Sequence, residues 1–412
     1  MNSAAARPRV CVLGLGYIGL PTAALLASRG HQVAGVDVNP DVVGTVNRGE
    51  VHISEPDLAA LVRVAVESGR LRAHDAPQPA DVFMICVPTP FHPGTDPPEP
   101  NLDYVRSAAR SIAPVLHPGN LVIVESTCPV GATEEVAALL REAGAPDGVH
   151  VAHAPERVLP GRILAELTEN DRIVGGVTPE ASERAAAFYR GFVQGAVLTT
   201  DARTAEMVKL VENSFRDVNI AFANEVSMLA ERLGIDAWEL IRLANRHPRV
   251  SILQPGPGVG GHCIAVDPWF IVAQNPTLAR LIRSAREVND AKTEWTVAQI
   301  RAEAGRLAER EGIRGRPVRI AALGLAYKPN TDDLRESPAL AVARGLQRAG
   351  FEVLASEPHL ASHAEFELHA PAEAVARADL VVLLVAHRQF AGLDLGGCPV
   401  LDFCGALQPA PR

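Results

Sequence analysis

Apolar positions near the start of the chain fall in unbroken runs rather than in alternation. Arg9–Pro40, RVCVLGLGYIGLPTAALLASRGHQVAGVDVNP, opens on a strand-length apolar block, breaks at a glycine turn, continues into a small-residue helix and closes on a second apolar strand. A strand that is apolar on both faces belongs to a parallel sheet covered on both sides. Further strand-length runs follow at Val82–Val87, Leu121–Glu125, His150–Ala152 and Arg172–Gly175, with helical stretches between the earlier ones. That alternation predicts a doubly wound sheet.

From about Arg203 the period changes. Val208, Val211, Phe215, Val218, Phe222, Val226, Leu229 and Leu233 recur every three or four residues without a proline, and Gly234 supplies a stop. One helix of about 45 Å is predicted at 1.5 Å per residue, enough to link two domains or line a dimer interface. More helix is expected from Pro276 to about Glu311. The opening pattern then returns in Arg319–Pro358, where RIAALGLAYKP echoes RVCVLGLGYIG. Its turn lacks the later glycines, so no dinucleotide is expected there. The predicted fold is α/β, with two Rossmann-like doubly wound domains joined by a long central helix and a helical middle. The boundaries fall at residues 1–200, 201–312 and 313–412.

Composition narrows the function. The 412 residues are 47% hydrophobic and 21% charged, with a net charge of −9, a balance that argues against nucleic acid or a membrane surface as partner. No apolar run approaches the roughly 18 residues of a membrane span. The six cysteines form no CxxC pair, which argues against a disulfide framework or a structural zinc, and no metal is expected. With no apolar leader core at the start, a cytoplasmic protein is predicted. Only three residues are lysine, Lys209, Lys292 and Lys328, so each stands out in an arginine-rich chain.

Gly14, Gly16 and Gly19 form GxGxxG between a strand and a helix, and Asp37 closes the second strand, where a carboxylate can accept ribose hydroxyls. Val38 and Asn39 offer no arginine for a 2′-phosphate, which favours NAD over NADP. A second stretch, GPGVGGHCIAVDPW at Gly256–Trp269, sets Cys263 after a glycine-rich turn and four residues before Asp267. A core thiol, a metal ligand beside His262 and a nucleophile are all open readings. Beside a nicotinamide cofactor the nucleophile leads, because a thiolate adding to an aldehyde forms a thiohemiacetal, then by hydride loss a thioester that water hydrolyses. Lys209 and Asn213, one helical turn apart, offer an ammonium and an amide for the developing oxyanion. Asp267 could position water.

In order along the chain stand GLGYIG, VPTP (Val87–Pro90), ESTCPVG (Glu125–Gly131), PERVLPG (Pro155–Gly161), KLVEN (Lys209–Asn213), FANE (Phe222–Glu225), GPGVGGHC, REVND (Arg286–Asp290) and AYKPNTDDLRESP (Ala326–Pro338). Together they resemble the nucleotide-sugar dehydrogenases, which oxidise a sugar 6-hydroxymethyl group to a carboxylate with two NAD+. The resemblance implies Cys263 as nucleophile, Lys209 and Asn213 as oxyanion stabilisers, Thr127 and Asp267 as water-positioning groups and Glu156 as base. For the cofactor it implies Gly14, Gly16, Tyr17, Ile18, Gly19, Asp37, Pro88, Thr89 and Thr127. For a UDP-sugar it implies Arg157, Lys209, Asn213, Gly260, His262, Lys328 and Arg335, in a homodimer. Pro160 stands where the UDP-glucose branch has a second glutamate, and Val266 where it has a lysine. Both departures resemble the branch acting on N-acetylated sugars, UDP-N-acetylmannosamine above all. Rival readings are the same reaction on UDP-N-acetylglucosamine or UDP-glucose, a two-electron hydroxyacid dehydrogenase, and a non-catalytic nucleotide binder. An epimerase or short-chain reductase would need YxxxK, and none of the four tyrosines has a lysine four residues on.

Overall fold

A computed structural model describes residues 7–261 and 263–407, and the chain separates into two compact units, 1–211 and 212–412. In the first unit the strands are β1 (Val10–Leu13), β2 (Val33–Val36), β3 (Leu71–His74), β4 (Val82–Ile85), β5 (Leu121–Val124), β6 (His150–His153), β7 (Arg172–Gly176) and β8 (Val197–Asp201). They form one eight-stranded sheet in the order β3-β2-β1-β4-β5-β6-β7-β8. The apolar runs are explained by the pleat: Val10 and Val12 enter one core layer and Cys11 and Leu13 the opposite one, as do Val82 and Met84 against Phe83 and Ile85.

One strand pair departs from the parallel winding the sequence predicts. β7 runs antiparallel to β6, with Ala152 opposite Gly176 and His153 opposite Gly175. The chain therefore leaves β6 and comes back into the sheet at the same end, and its 154–171 excursion stays at the carboxyl edge of the parallel strands. Ligands of open α/β sheets bind at that edge.

The long helix is Ala202–Leu233, one residue longer at its start than predicted, and it opens in the first unit and closes in the second. The helix expected from Pro276 to about Glu311 is Arg280–Arg310, starting four residues later, and a short helix that the sequence pattern does not separate, Asp267–Gln274, precedes it. In the second unit β9 (Arg319–Leu323), β10 (Glu352–Ser356), β11 (Leu380–Leu383) and β12 (Val400–Asp402) form a parallel sheet in the order β10-β9-β11-β12. Here too Ile320 and Ala322 face one core and Ala321 and Leu323 the other.

Two of the sequence motifs are structural. Asp217, fully buried on the long helix, accepts from Arg286 Nη1 at 2.7 Å and from Asn289 Nδ2 at 2.8 Å. Asn289 Oδ1 in turn accepts from Asn224 Nδ2 at 2.9 Å, and Asn224 Oδ1 accepts from Gly256 N at 2.9 Å. FANE and REVND thus fix the start of the cysteine turn. Burial pushes the Asp217 carboxyl up, against the pull of Arg286 and Asn289. Losing Arg286 would strand a buried charge, at about 3 to 5 kcal/mol.

Candidate active site

The dinucleotide turn follows from its glycines. Gly14 has φ +87°, and a Cβ there would lie 2.7 Å from the Cys86 carbonyl oxygen. A Cβ on Gly19 would lie 1.8 Å from the Gly14 oxygen, so helix Gly19–Ser28 can start only on a glycine. Gly16 differs, because a Cβ there would meet nothing within 4 Å. That open face, with Tyr17 and Ile18 leading into the helix N-terminus, fits the pyrophosphate of NAD. Asp37 Oδ2 accepts from Leu15 N and Oδ1 from Asn39 N, both at 2.9 Å, and the half-buried carboxylate keeps capacity for ribose hydroxyls. Val38 beside it is 93% exposed.

Neighbouring turns are tied to this one. Thr89 Oγ1 donates to the Thr127 oxygen at 2.8 Å and Ser126 Oγ to the Val87 oxygen at 2.7 Å, which joins VPTP, with its exposed Pro88, to ESTC. Glu206 on the long helix accepts from Gly131 N, Thr133 N and Thr133 Oγ1 at 2.6 to 2.7 Å, so the turn of helix that carries Lys209 is held beside ESTC. His153 is fully buried close to Lys209; burial first and that ammonium second lower it to about 3, so the ring is neutral.

Glu156 is also buried. If the β6–β7 register continues past His153, Glu156 falls opposite Arg172, and Arg172 Nη1 does donate to Glu156 Oε2 at 2.5 Å. Arg157 N donates to Glu156 Oε1 at 2.7 Å, and the Arg157 side chain donates to the Asp171 carbonyl. Glu55 holds the far end of the excursion, accepting from Gly161 N at 2.8 Å and Ile163 N at 2.7 Å.

In the second unit Cys263 is exposed, and its carbonyl accepts from Val266 N at 3.1 Å and Asp267 N at 2.8 Å, so the thiol stands one turn ahead of helix Asp267–Gln274. Asp267 is buried and accepts from Asn213 Nδ2 at 2.5 Å. The glycines before the cysteine serve a close approach, but to protein. A Cβ on Gly260 would lie 2.4 Å from the Glu336 oxygen, and one on Gly261 2.7 Å from the Tyr327 ring. Gly261 N also donates to the Arg335 oxygen at 3.0 Å. Beside this turn lies a pocket of about 340 Å³, lined by Arg216, the Gly256–Gly260 backbone, Tyr327 and Lys328. Burial first and Asp333 second push the Tyr327 phenol up to about 12, which keeps it a neutral donor.

Asn213 and Asp267 are therefore brought into contact, and Lys328 lines the pocket. Among the described residues lining it Arg335 is not one: its guanidinium grips Asp333 through Nε at 3.0 Å and Nη2 at 2.6 Å. His262 lies outside the described residues. Arg172, Glu125 and Tyr189 escaped sequence reasoning, although a charge opening an apolar strand at Arg172 and a carboxylate closing one at Glu125 were visible signals. Among the described residues no helix is long and apolar enough to cross a membrane.

A glycine-turn sheet open at its carboxyl edge, followed by a second α/β sheet with a cationic pocket, defines a nicotinamide-dependent dehydrogenase with a separate nucleotide-binding domain. Residues 8–193 match the NAD binding domain of the UDP-glucose/GDP-mannose dehydrogenase family, 203–291 its central domain and 321–407 its UDP binding domain, and the chain belongs to that family. It is 55% identical over 402 residues to a UDP-N-acetyl-D-mannosamine dehydrogenase of Escherichia coli, covering 92% of this chain and 94% of the relative. It is likewise 55% identical over 401 residues to an NDP-N-acetyl-D-galactosaminuronic acid dehydrogenase of Ralstonia nicotianae, covering 93% and 92%. A solved structure of a UDP-D-ManNAc dehydrogenase from Pyrococcus horikoshii superposes with a TM-score of 0.87 at 40% identity, over 98% of this chain and 97% of that one. The protein is thus an NAD-dependent oxidoreductase.

Proposed function

We propose that the protein oxidises the 6-hydroxymethyl group of UDP-N-acetyl-D-mannosamine to the uronic acid, reducing two NAD+. The observation that carries the reading is an exposed Cys263 at the amino end of a helix, four residues from an Asp267 that Asn213 holds at 2.5 Å. The positive end of the helix dipole favours the thiolate. Bound NAD+ supplies only the hydride acceptor, once for the alcohol and once for the thiohemiacetal.

The chain's residues account for the rest. As the alcohol loses hydride from C6 its hydroxyl proton passes to water held by Asp267 and Thr127, and Lys209 and Asn213 stabilise the oxyanion. Cys263 Sγ then bonds to C6 of the aldehyde, and the resulting oxyanion is held by the same two donors. Loss of a second hydride leaves a thioester. Glu156 takes a proton from water, the hydroxide adds to C6, and the C–S bond breaks to return the thiolate. Gly14, Gly16, Tyr17, Ile18, Gly19, Asp37, Pro88 and Thr89 are assigned to NAD. Arg157, Gly260, His262, Lys328 and Arg335 are assigned to the UDP-sugar.

The division at 1–200, 201–312 and 313–412 then separates cofactor, catalytic and nucleotide parts. A cytoplasmic homodimer is proposed with it, supported by Phe215, Phe222 and Leu229, which repeat every seven residues on the long helix and are 66%, 56% and 51% exposed. A substrate of N-acetylgalactosamine configuration is the second reading, favoured by the equal identity to the Ralstonia relative.

Cys263→Ser tests the mechanism. The variant is expected to bind NAD+ and UDP-sugar normally yet to lose at least about a hundredfold in acid formation, because an alkoxide is far less accessible than a thiolate. Acid formation at the wild-type rate would remove Cys263 from the mechanism. A panel of UDP-sugars scored for two NADH per sugar assigns the epimer.

A further inference from the structure

Behind Glu156 lies a buried cluster to which the reaction assigns no role. Glu125 follows β5, Arg172 opens β7, Tyr189 lies on helix Pro179–Arg190 and Cys86 follows β4. Tyr189 OH donates to Glu125 Oε1 at 2.6 Å, and Cys86 Sγ lies 3.2 Å from Glu125 Oε2. The Arg172 guanidinium stands 5.1 Å from the centre of the Tyr189 ring while its Nη1 holds Glu156. Glu125, Glu156, Arg172 and Tyr189 are all at least nine-tenths buried.

Two carboxyl groups thus share one guanidinium away from water, where like charges cannot both ionise cheaply. Geometry decides the division, since Arg172 bonds Glu156 directly and meets Glu125 only through Tyr189. Both partners donate to Glu125, Tyr189 OH to Oε1 and Cys86 Sγ to Oε2, so its two oxygens are occupied apart from Arg172. Burial raises the Glu125 carboxyl more than Arg172 pulls it down, and Glu156 adds to the rise. Burial opposes the charge on Arg172, but Glu156 first, then Tyr189 and Glu125, more than restore it.

We propose that Arg172 is a positioning residue for thioester hydrolysis: its guanidinium holds the Glu156 carboxyl in place, while Tyr189 and Cys86 hold Glu125 apart from that pair. The proposal rests on Glu156 being the hydrolytic base. A buried carboxylate that loses its counter-ion takes up a proton and can no longer accept one from water.

The test is a rapid-quench single turnover of the full-length enzyme with NAD+ and UDP-N-acetylmannosamine, counting NADH and acid separately across pH. Arg172→Met is expected to release both NADH normally and to slow acid release roughly a hundredfold at pH 7, with recovery about two pH units higher, since a neighbouring cation is worth one to three units. Arg172→Lys, which keeps the charge if the methionine variant fails to fold, moves the limb about half as far. Glu125→Gln preserves an acceptor and hydrolyses within about threefold of wild type, whereas Glu125→Leu frees Tyr189 and loses about tenfold. If Glu156→Gln blocks hydrolysis but the Arg172 variants leave the pH limb unmoved, the positioning role falls and the base stands. If Glu156→Gln hydrolyses at the wild-type rate, the base and its positioning fall together. Equal losses in Glu125→Gln and Glu125→Leu would overturn the role of Glu125 as the acceptor that holds Tyr189.

Discussion

Gly14 and Gly324 end the first strands of their sheets in the same way. Their φ values are +87° and +95°, and each donates its amide at 2.8 Å to the neighbouring strand, to Val36 and to Ser356. In both turns a carboxylate from the end of that second strand collects the amides that follow: Asp37 takes Leu15 N at 2.9 Å, and Glu357 takes Leu325 N at 2.8 Å and Ala326 N at 2.9 Å. The resemblance stops two residues after the glycine. Gly16 faces open space, whereas Ala326 is fully buried. Glu357 is buried as well, and His387 Nε2 fills its remaining capacity at 3.0 Å. A strand–glycine–strand frame with a terminal carboxylate is therefore a way of closing a turn. The copy in the NAD binding domain differs in leaving the third position empty and the carboxylate unfinished, which is the room that the proposed ribose and pyrophosphate contacts need.

The largest expected effect breaks the closed copy. Glu357→Ala strands His387 and the amides of Leu325, Ala326 and His359, and should lower unfolding free energy in urea by about 3 kcal/mol while the KM for NAD+ stays at the wild-type value. Asp37→Ala should do the reverse, weakening NAD+ binding about tenfold, near 1.4 kcal/mol, with a stability change inside about 0.5 kcal/mol. A large loss of NAD+ affinity in the Glu357 variant would mean the two turns are not separate in role. The smallest effect is on acid stability. Burial raises the Glu357 carboxyl, but the His387 bond and two amides more than offset it and hold it below its ordinary value of 4.5. Its contribution is thus present above about pH 4.5 and is lost as pH falls through the depressed folded value. Glu357→Gln should show a flatter decline than wild type in that acid window, by about 1 kcal/mol or less; identical slopes would discount the hydrogen bonds to Glu357 as its source.

What could be read from sequence follows the same division. The opening turn was legible because each glycine answers a local demand, and the continuous apolar runs announced strands covered on both faces. The long helix was legible because its period survives thirty-two residues. The reversal of β7 was not, since an antiparallel strand buried between two neighbours is as apolar as a parallel one. The Glu156–Arg172 pair was equally hidden, since it joins the segment after β6 to the first residue of β7. Arg335 illustrates a different limit: its type suits a phosphate, and only the structure shows that its guanidinium also holds Asp333, two residues away.

The contact between the cysteine turn and the second turn constrains how this enzyme can change. With Gly260 and Gly261 seated on Tyr327 and Glu336, and the Gly261 amide bonded to the Arg335 carbonyl, the segment carrying the thiol and the segment beside Lys328 form one rigid handle. Neither can acquire a side chain or shift register unless the other yields. On the proposed assignment, remodelling the cysteine turn alone to alter sugar preference would shift the second turn with it, so productive variants should come as paired substitutions spanning Gly258–Gly261 and Tyr327–Pro338. With Lys328 and Cys263 in the roles proposed for them, grip on the nucleotide is through that handle also alignment of the sulfur, and a substrate shortened at its nucleotide end should lose turnover as well as affinity.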